Sequence, residues 1–226
     1  MTGSSAERYA LKDFRGSSHR ILTQWIRELA APGGRVLELG PAAAHLYALV
    51  RRPDLTWRGI DADPRFLSGL RATGGGVIAD LDSLPRLAAG FDLIVAADVL
   101  EHLSNPERML RMIHAALSPG KALVASVPNV ANIHVRMSLL CGRFDYRERG
   151  ILDRTHRYFF TRRTLLGMLR AAGFSVERQA VSLIPLPFVM PWAGRWSTDL
   201  LLRLLSGVTR LAPTLLGYQL LVVARR

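Results

Sequence analysis

Seven short apolar segments alternate with helical segments along this chain of 226 residues. Such an alternation is typical of α/β domains, in which a largely parallel sheet carries helices on both faces. Apolar residues make up 49% of the chain, which excludes a disordered or fibrous protein and allows a sizeable core. The sequence therefore predicts one α/β domain over residues 1–226, with strands at 35–39, 56–60, 76–79, 91–96, 122–127, 174–181 and 218–224.

The helices are predicted from apolar spacing and from capping residues. Residues 1–16 are polar and are expected to form a mobile lead-in. The apolar, proline-punctuated stretch 184–214 is expected to be helical in its middle. Side chains that can cap helix N-termini occur at Ser17 or Ser18, at Ser104 or Asn105, and at Thr161. The other predicted helices cover 17–30, 43–52, 64–71, 105–117 and 161–173.

The chain is strongly basic, with a net charge of +12, and only Lys12 and Lys121 among its 30 basic residues are lysine. Arginine forks suit phosphates and carboxylates, so the surface fits phosphorylated substrates, anionic lipids or nucleic acid. A coding bias toward arginine would give the same composition. No appended RNA-binding module is present, and few aromatic residues lie among the basic ones for base stacking. We therefore expect no DNA partner and disfavour RNA as a substrate.

Cysteine usage and hydropathy bear on the compartment. Cys141 is the single cysteine, which excludes an intrachain disulfide framework. The first 30 residues show no secretory signal. The longest apolar stretch, 183–194, is broken by prolines and is far shorter than the roughly 20 residues of a membrane-spanning helix. The prediction is a cytoplasmic protein, with the inner face of the membrane as the alternative location.

The first predicted strand, 35–39, leads directly into Gly40 and then into a helix. A strand, a tight glycine turn and a helix form the generic element that binds nucleotide cofactors, because glycine lets the backbone approach the ligand. Asp61 follows 21 positions after Gly40, which fits the spacing of roughly 20 residues for a carboxylate that accepts from ribose hydroxyls. A GxGxxG motif is absent, which disfavours a dinucleotide.

Over about residues 15–182, the chain resembles the class I S-adenosylmethionine-dependent methyltransferases. The resemblance implies a doubly wound, Rossmann-like α/β sheet of seven strands, mostly parallel with an antiparallel last strand. The matching motifs are Val36-Leu-Glu-Leu-Gly40, Gly59-Ile-Asp61, Asp80-Leu81 before Leu84-Pro85, Phe91-Asp92, Leu100-Glu-His-Leu103, Leu117-Ser-Pro-Gly120 and Ser126-Val-Pro-Asn129.

The resemblance also implies which residues meet S-adenosylmethionine. The turn after the first strand would frame the methionine part, the end of the second strand would hold the ribose, and the end of the third would meet the adenine. A residue just past the fourth strand would lie beside the methionine amine. The cofactor-binding residues so implied are Glu38, Gly40, Ala42, Asp61, Ala62, Asp80, Leu81 and Ala97.

The chain departs from the family where Ala42 and Ala44 replace the usual glycines. Because a Cβ atom disfavours positive φ, we expect neither alanine to adopt a left-handed conformation. The expected consequence is a reduced affinity for the cofactor or a slightly reshaped turn. A non-catalytic partner protein that keeps the fold without the cofactor is the alternative.

A second constellation is Asp98-Val-Leu-Glu101-His102. In a helix, positions i, i+3 and i+4 share one face, so two carboxylates and an imidazole there could bind Mg²⁺ or Mn²⁺. His156 is the candidate for a fourth ligand. This pattern, with His156 five positions before Thr161, is similar to metal-dependent small-RNA 3′-terminal 2′-O-methyltransferases. The ubiquinone-pathway O-methyltransferases share its first part, and both families usually have Glu where this chain has Asp98.

Two interpretations without a metal compete with this one. In the first, His156 or His102 acts as a general base, since neutral imidazole can take a hydroxyl proton near pH 7, and Glu101 is the third catalytic candidate. In the second, Glu101 and His102 cap a helix and bond to the backbone, while His156 orients a loop.

Residues 130–160 are where this fold places a substrate-facing insertion. Five arginines there could grip a phosphate or pyrophosphate of the acceptor, or three acidic residues could balance them. The run 150–156 resembles bacterial methyltransferases associated with cell-surface polysaccharide synthesis. The arginines are Arg143, Arg147, Arg149, Arg154 and Arg157, and the acidic residues are Asp145, Glu148 and Asp153.

These resemblances imply an S-adenosylmethionine-dependent O-methyltransferase that acts on a hydroxyl of a small-molecule or lipid-linked saccharide acceptor. A polyprenyl phenol or quinone precursor, or RNA, is the alternative acceptor. The basic, tryptophan-containing segment 183–212 is typical of peripheral membrane contact, and a lid or homodimer surface is the competing interpretation.

Overall fold

The computed structural model of the protein describes residues 11–66, 71, 75–189 and 195–226. Its centre is a seven-stranded sheet in the order β3-β2-β1-β4-β5-β7-β6. Strands β1 to β5 pair in parallel, and β7 runs antiparallel to both β5 and β6, which confirms the predicted doubly wound fold. The strands are β1 Arg35–Leu39, β2 Thr56–Asp61, β3 Gly76–Ile78, β4 Phe91–Ala97, β5 Leu117–Pro128, β6 Ser175–Val181 and β7 Gln219–Arg225.

Eight α-helices and two 3₁₀ turns surround the sheet in the described part of the chain. Ser17, Asn105 and Thr161 cap the three long predicted helices by accepting backbone N–H groups, as their side chains favour. The helices are α1 Ser18–Leu29, α2 His45–Val50, α3 Pro106–Ala116, α4 Ile133–Leu140, α5 Arg162–Ala171, α6 Leu186–Val189, α7 Arg195–Leu211 and α8 Pro213–Leu216. The 3₁₀ turns are Pro64–Phe66 and Leu100–His102.

Two hydrophobic cores lie on opposite faces of the sheet, as the doubly wound topology requires. On one face Leu37 and Leu39 of β1 pack with residues of α3 and α5. On the other face Val36 packs with Leu22 and Ile26 of α1. This alternation along β1 follows from the two-residue period of a strand, and it fixes the register that sets the strand ends beside one another.

Several predicted bounds differ from the observed ones. Strand β5 begins at Leu117 rather than at the predicted residue 122, because Leu117 already pairs with Phe91. The pairing then shifts register, so that Leu93 pairs with Ala122 and the residues between, including the predicted proline-glycine turn, belong to the strand. Of the helix predicted over 64–71, residues 64–66 form a 3₁₀ turn and residues 67–70 lie outside the described residues. Helix α4 was not predicted, since its apolar residues do not fall on one helical face.

The two ends of the predicted domain meet beside the sheet. Of the predicted lead-in, residues 1–10 lie outside the described residues, whereas Phe14 packs against Leu183 and Leu202. The stretch 184–214 contains α6, α7 and α8, with residues 190–194 outside the described part. Among the helices that the structure describes, none is long and apolar enough to cross a membrane.

Candidate active site

The strand order places a crevice at the carboxyl ends of β1 and β4. From β1 the chain proceeds outward to β2 and β3, and β4 then lies on the opposite side of β1. Ligands of open α/β sheets bind where the strand order reverses in this way, because the loops after the two strands diverge and leave a gap. The predicted cofactor and metal residues follow these strand ends.

Gly40, directly after β1, makes the tight turn that opens the crevice. Its N–H donates to the carbonyl of Ile60 at 2.8 Å, and its φ of +62° lies in the left-handed region. A Cβ atom at this position would lie 2.8 Å from Cγ2 of Val99, which is closer than side chains tolerate. The backbone conformation favours glycine, and the lack of space beside Val99 adds to that preference.

The expectation for Ala42 and Ala44 is wrong. Their φ values are +45° and +55°, so both alanines adopt the left-handed conformation of the glycines they replace. Local hydrogen bonds hold them there: the Ala42 N–H donates to Oδ2 of Asp61 at 2.9 Å, and the Ala44 N–H donates to the carbonyl of Pro41 at 2.7 Å. The left-handed conformation costs roughly 1–2 kcal/mol per alanine.

Asp61 ends β2 and lies beneath this turn. One carboxylate oxygen accepts from Ala42 and the other accepts from the N–H of Asp63 at 2.9 Å. An ionised carboxylate has about four acceptor positions, so two bonds leave room for the ribose hydroxyls that the prediction assigned to it. Asp61 therefore fits an adenosine-containing cofactor.

Glu38, the other acidic residue of the turn region, is 3% exposed, and its Oε2 accepts from the indole N–H of Trp57 at 2.9 Å. The pKa of Glu38 is raised to about 7. Burial is the largest cause, the hydrogen bond from Trp57 opposes the shift, and the charge of Asp61 adds to it. Glu38 thus links β1 to β2 through Trp57, and its pKa lies near neutrality.

The remaining predicted cofactor residues surround the same crevice. The N–H of Ala79 donates to the carbonyl of Asp61 at 2.8 Å, which brings the end of β3 beside the end of β2. Asp80 is exposed there, whereas the side chain of Leu81 is buried in the core. Ala62 is exposed after β2, and Ala97 is the last residue of β4. Their contacts with the cofactor stay predictions.

A second group of functional side chains lies after β4. One ligand atom from each of Glu101, His102 and His156 falls within 4.8 Å of the others. Glu101 and His102 belong to the 3₁₀ turn, and the carbonyl of Glu101 accepts from the N–H groups of Arg157 and Tyr158 at 2.8 and 3.0 Å. This backbone pairing brings His156 to within 4.9 Å of His102, measured between ring centroids.

The hydrogen bonds of the two imidazoles fix their tautomers. Nδ1 of His156 lies 3.0 Å from the carbonyl of Ile151, which can only accept. Nδ1 of His102 lies 3.3 Å from the carbonyl of Thr155 and 3.2 Å from its hydroxyl, which itself donates to Asp153. Both Nδ1 atoms therefore carry the proton in the neutral rings, and both Nε2 atoms present a lone pair.

Glu101 is the least satisfied polar group near the crevice. It is 1% exposed, and neither carboxylate oxygen has a hydrogen-bond partner among the residues that the structure describes. Burial first, and then the charge of Asp98, raise the pKa of Glu101 well above its usual value. A buried carboxylate of this kind is costly unless a proton or a cation compensates it, so Glu101 is expected either to hold a proton or to contact a cation.

Asp98 does not join this cluster, contrary to the predicted four-ligand set. Its φ of +55° turns the chain before the 3₁₀ turn, so positions 98, 101 and 102 do not share a helical face. Its carboxylate accepts from Lys12 at 3.0 Å, from Ser126 at 2.6 Å and from Gln219. Burial raises the pKa of Asp98, but Lys12 and Ser126 outweigh burial and bring the pKa to about 2.

Lys12 and Gln219 are therefore partners of the Asp98 carboxylate that the sequence did not reveal. Each contacts Asp98 across a long separation along the chain, and such a contact leaves no local pattern. Lys12 being one of only two lysines is the single signal that could have drawn attention to it.

Three of the five predicted phosphate-gripping arginines of the segment 141–157 lie within ion-pairing distance of a carboxylate. Two of these carboxylates belong to the same segment, as expected if acidic residues balance the loop. The ion pairs are Arg143–Asp145 at 4.0 Å, Arg154–Glu148 at 2.9 Å and Arg157–Asp82 at 3.4 Å.

A crevice of this topology, with a glycine turn after the first strand and a carboxylate at the end of the second, is typical of S-adenosylmethionine-dependent methyltransferases. A family model described as a methyltransferase domain matches residues 14–179, and the chain belongs to that family. A ubiquinone biosynthesis O-methyltransferase of Cereibacter sphaeroides is 26% identical over 195 residues, which cover 80% of this chain and 76% of that protein.

Solved structures show the same fold. An S-adenosylmethionine-dependent methyltransferase from Mesorhizobium loti aligns with a TM-score of 0.61 at 21% identity and covers 92% of this chain and 96% of its own. The N-methyltransferase NodS from Bradyrhizobium japonicum, solved with S-adenosyl-L-homocysteine, aligns with a TM-score of 0.57 at 19% identity and covers 92% of this chain and 85% of its own.

Proposed function

We propose that this methyltransferase transfers the methyl group to a hydroxyl oxygen, with His156 as the general base. The observation that carries the proposal is the pair of imidazoles after β4, each with Nδ1 committed as a donor and Nε2 left as an acceptor. Because His156 lies in the predicted substrate-facing segment, it is the better placed of the two to meet an acceptor. The O-methyltransferase name of the Cereibacter relative supports oxygen as the methylated atom.

S-adenosylmethionine supplies an electrophilic methyl group on its sulfonium sulfur. The protein's contribution is to hold the acceptor oxygen in line with that methyl group and to remove the hydroxyl proton as the new bond forms. Burial and the neighbouring His102 lower the pKa of His156, which keeps the ring neutral near pH 7. Nε2 of His156 can therefore accept the proton that the hydroxyl loses.

A metal-assisted version of the same reaction is the second candidate, and the unpartnered carboxylate of Glu101 favours it. Glu101, His102 and His156 would hold Mg²⁺ or Mn²⁺, and such an ion would act as a Lewis acid that lowers the pKa of a bound hydroxyl. The lone pair on Nε2 of His156 serves either as a ligand or as a base, so the two versions predict different metal dependence.

We propose a saccharide or glycolipid precursor as the acceptor, because the run 150–156 resembles polysaccharide-associated methyltransferases. A phenolic quinone precursor is the alternative, and the ubiquinone pathway named for the relative favours it. RNA is the third acceptor class, and the net charge of +12 is the feature that favours it.

The test combines cofactor binding with turnover. S-adenosylhomocysteine affinity is measured by calorimetry, and methyl transfer is measured with radiolabelled donor on nucleotide sugars and on a small catechol, with Mg²⁺ and with a chelator. We expect micromolar binding of S-adenosylhomocysteine. We expect His156→Ala to abolish transfer while that affinity is unchanged. His134→Ala, an exposed histidine on α4, is the matched control.

Each outcome separates the versions. Transfer that survives the chelator assigns His156 as a base, and transfer that Mg²⁺ or Mn²⁺ restores assigns it as a ligand. Near-normal transfer by His156→Ala would overturn both roles. Absent S-adenosylhomocysteine binding would favour the non-catalytic alternative.

A further inference from the structure

A groove of about 520 Å³ lies outside the crevice, between α4, α5 and α8. Its floor includes Ala131, just after β5, and its opposite edge includes Thr214 of α8. Four arginines line it. They are Arg136, Arg162, Arg163 and Arg170.

These four positive charges lack acidic partners. Across the described residues, none of the four forms an ion pair with a carboxylate, in contrast to the paired arginines of the segment 141–157. Arg136 donates to the carbonyl of Ala131 at 2.7 Å, and Arg162 donates to the side-chain oxygen of Gln179 at 2.8 Å. Both partners are neutral, so the charge of the groove is not compensated by the protein.

Two of these arginines lie at the amino end of a helix. Arg162 and Arg163 occupy the first turn of α5, a helix of ten residues with no acidic residue in that turn. The amino end of a helix carries a partial positive charge and favours anions, so two cations there repel it. An anion bound in the groove would relieve this repulsion and would also engage the arginine forks.

We propose that the groove binds the phosphate or diphosphate group of the methyl acceptor. The proposal rests on the proposed transfer to a hydroxyl and adds that the acceptor is an anionic, phosphate-bearing molecule. Arginine is suited to this because its planar fork donates two parallel hydrogen bonds to phosphate oxygens.

A short stretch of chain joins the histidine pair to the groove. The N–H of Tyr158 donates to the carbonyl of Glu101, and the N–H of Val130 donates to the carbonyl of Phe160, so residues 158–160 connect the histidine cluster to the groove edge at Thr161. Five residues of extended chain, from His156 to Thr161, span at most about 18 Å. One elongated acceptor, with a hydroxyl at His156 and a phosphate in the groove, is compatible with this upper limit.

The same phosphate chemistry occurs in nucleotide sugars and in lipid-linked sugars. Helix α7 favours the lipid-linked sugar, because it exposes a row of apolar side chains. They are Leu200, Leu204, Val208 and Leu211. The last of these, Leu211, is 87% exposed and lies three residues before Thr214 of the groove. An apolar face beside an anion site suits a lipid-linked diphosphate, and binding experiments distinguish the two sources.

The test measures binding of inorganic pyrophosphate by calorimetry, in the presence of saturating S-adenosylhomocysteine. We expect Arg163→Gln/Arg170→Gln to weaken pyrophosphate binding by at least about tenfold, since each charge-assisted bond contributes that order of affinity. The control Arg52→Gln/Arg178→Gln removes the same charge from arginines that already pair with carboxylates. It should leave pyrophosphate affinity within about twofold.

Two further probes identify the source of the phosphate. Tighter binding of uridine diphosphate-glucose than of pyrophosphate supports a nucleotide sugar. Co-sedimentation with phosphatidylcholine vesicles only when they contain polyprenyl diphosphate supports a lipid-linked acceptor. Either result supports the proposal only if Arg163→Gln/Arg170→Gln loses binding of the same probe. The S-adenosylhomocysteine affinity and the melting temperature of this variant should match those of the wild type.

Three results would overturn the proposal. They are absent pyrophosphate binding with S-adenosylhomocysteine binding intact, equal pyrophosphate binding by the two double variants, and tighter groove-dependent binding of a short RNA than of every phosphate probe. A failure of the proposed function looks different: both ligands bind, and no hydroxyl acceptor is methylated.

Discussion

Replacing Gly40 by alanine tests the turn on which the cofactor crevice depends. Gly40 adopts a φ of +62°, and a Cβ atom there would lie 2.8 Å from Cγ2 of Val99. The substitution therefore adds two separate costs, one from the left-handed backbone and one from the collision. Gly33 offers a matched control, because its φ is +72° and a Cβ atom added there would meet nothing within 4 Å.

The expected loss follows from these two costs. A left-handed conformation costs an alanine roughly 1–2 kcal/mol, and overpacking by one methyl group costs about 1–3 kcal/mol. Alanine also lowers the conformational entropy of the unfolded chain, which offsets about 0.5–1 kcal/mol of this loss in stability. The free energy of unfolding should therefore fall by about 2–3 kcal/mol for Gly40→Ala, and by about 1 kcal/mol or less for Gly33→Ala. In a domain of this size the melting temperature should fall by roughly 5–10 °C for Gly40→Ala.

Urea denaturation measures these values, and the background Val99→Ala separates the two costs. Because alanine at position 99 has no Cγ2, Gly40→Ala in that background should lose only the backbone part. The coupling free energy between the two positions should be about 1–2 kcal/mol. Equal losses in both backgrounds would refute the collision, and equal losses for Gly40→Ala and Gly33→Ala would do the same.

Two further predictions concern the same crevice. Ala44→Gly should leave the protein about 0.5–1 kcal/mol more stable than Ala43→Gly, because Ala44 is left-handed and Ala43 is not; equal urea midpoints would contradict this conformation. Glu38→Gln should flatten the pH dependence of stability. The folded pKa of Glu38 is raised to about 7, so its protonated form stabilises the fold below pH 4.5, and up to about 3 kcal/mol is lost as pH rises through 7. Urea denaturation from pH 4.5 to 8 should show a shallower slope in Glu38→Gln than in the wild type, because Glu101, whose pKa is also raised, contributes to both; an unchanged slope in the variant would disprove the shift.

Much of the fold was predictable because its strands are short, apolar and separated by clear punctuation. The segment at 91–96 has the pattern of a buried strand, and the structure gives Phe91–Ala97. Helix α4 was not predicted, because its apolar residues surround the helix rather than lining one face. Asn132, which caps α4 by accepting the N–H of His134, was the signal that could have located its start.

The site was predictable only where local spacing decides geometry. Glu101 and His102 are adjacent in sequence, and a motif brought His156 into consideration, so the cluster was foreseen. The conformation of Ala42 was not foreseen, because an intrinsic backbone preference yields to the hydrogen bond with Asp61. The role of Asp98 was misjudged because its partners, Lys12 and Gln219, lie 86 and 121 positions away.

The placement of β7 has a consequence for how the chain folds. β7 lies between β5 and β6 and pairs with both, although residues 219–225 come after every other strand along the chain. Until they emerge from the ribosome, β5 and β6 each expose an unpaired edge, and such edges template association between chains. The newly made chain is therefore prone to association until β7 is inserted between β5 and β6.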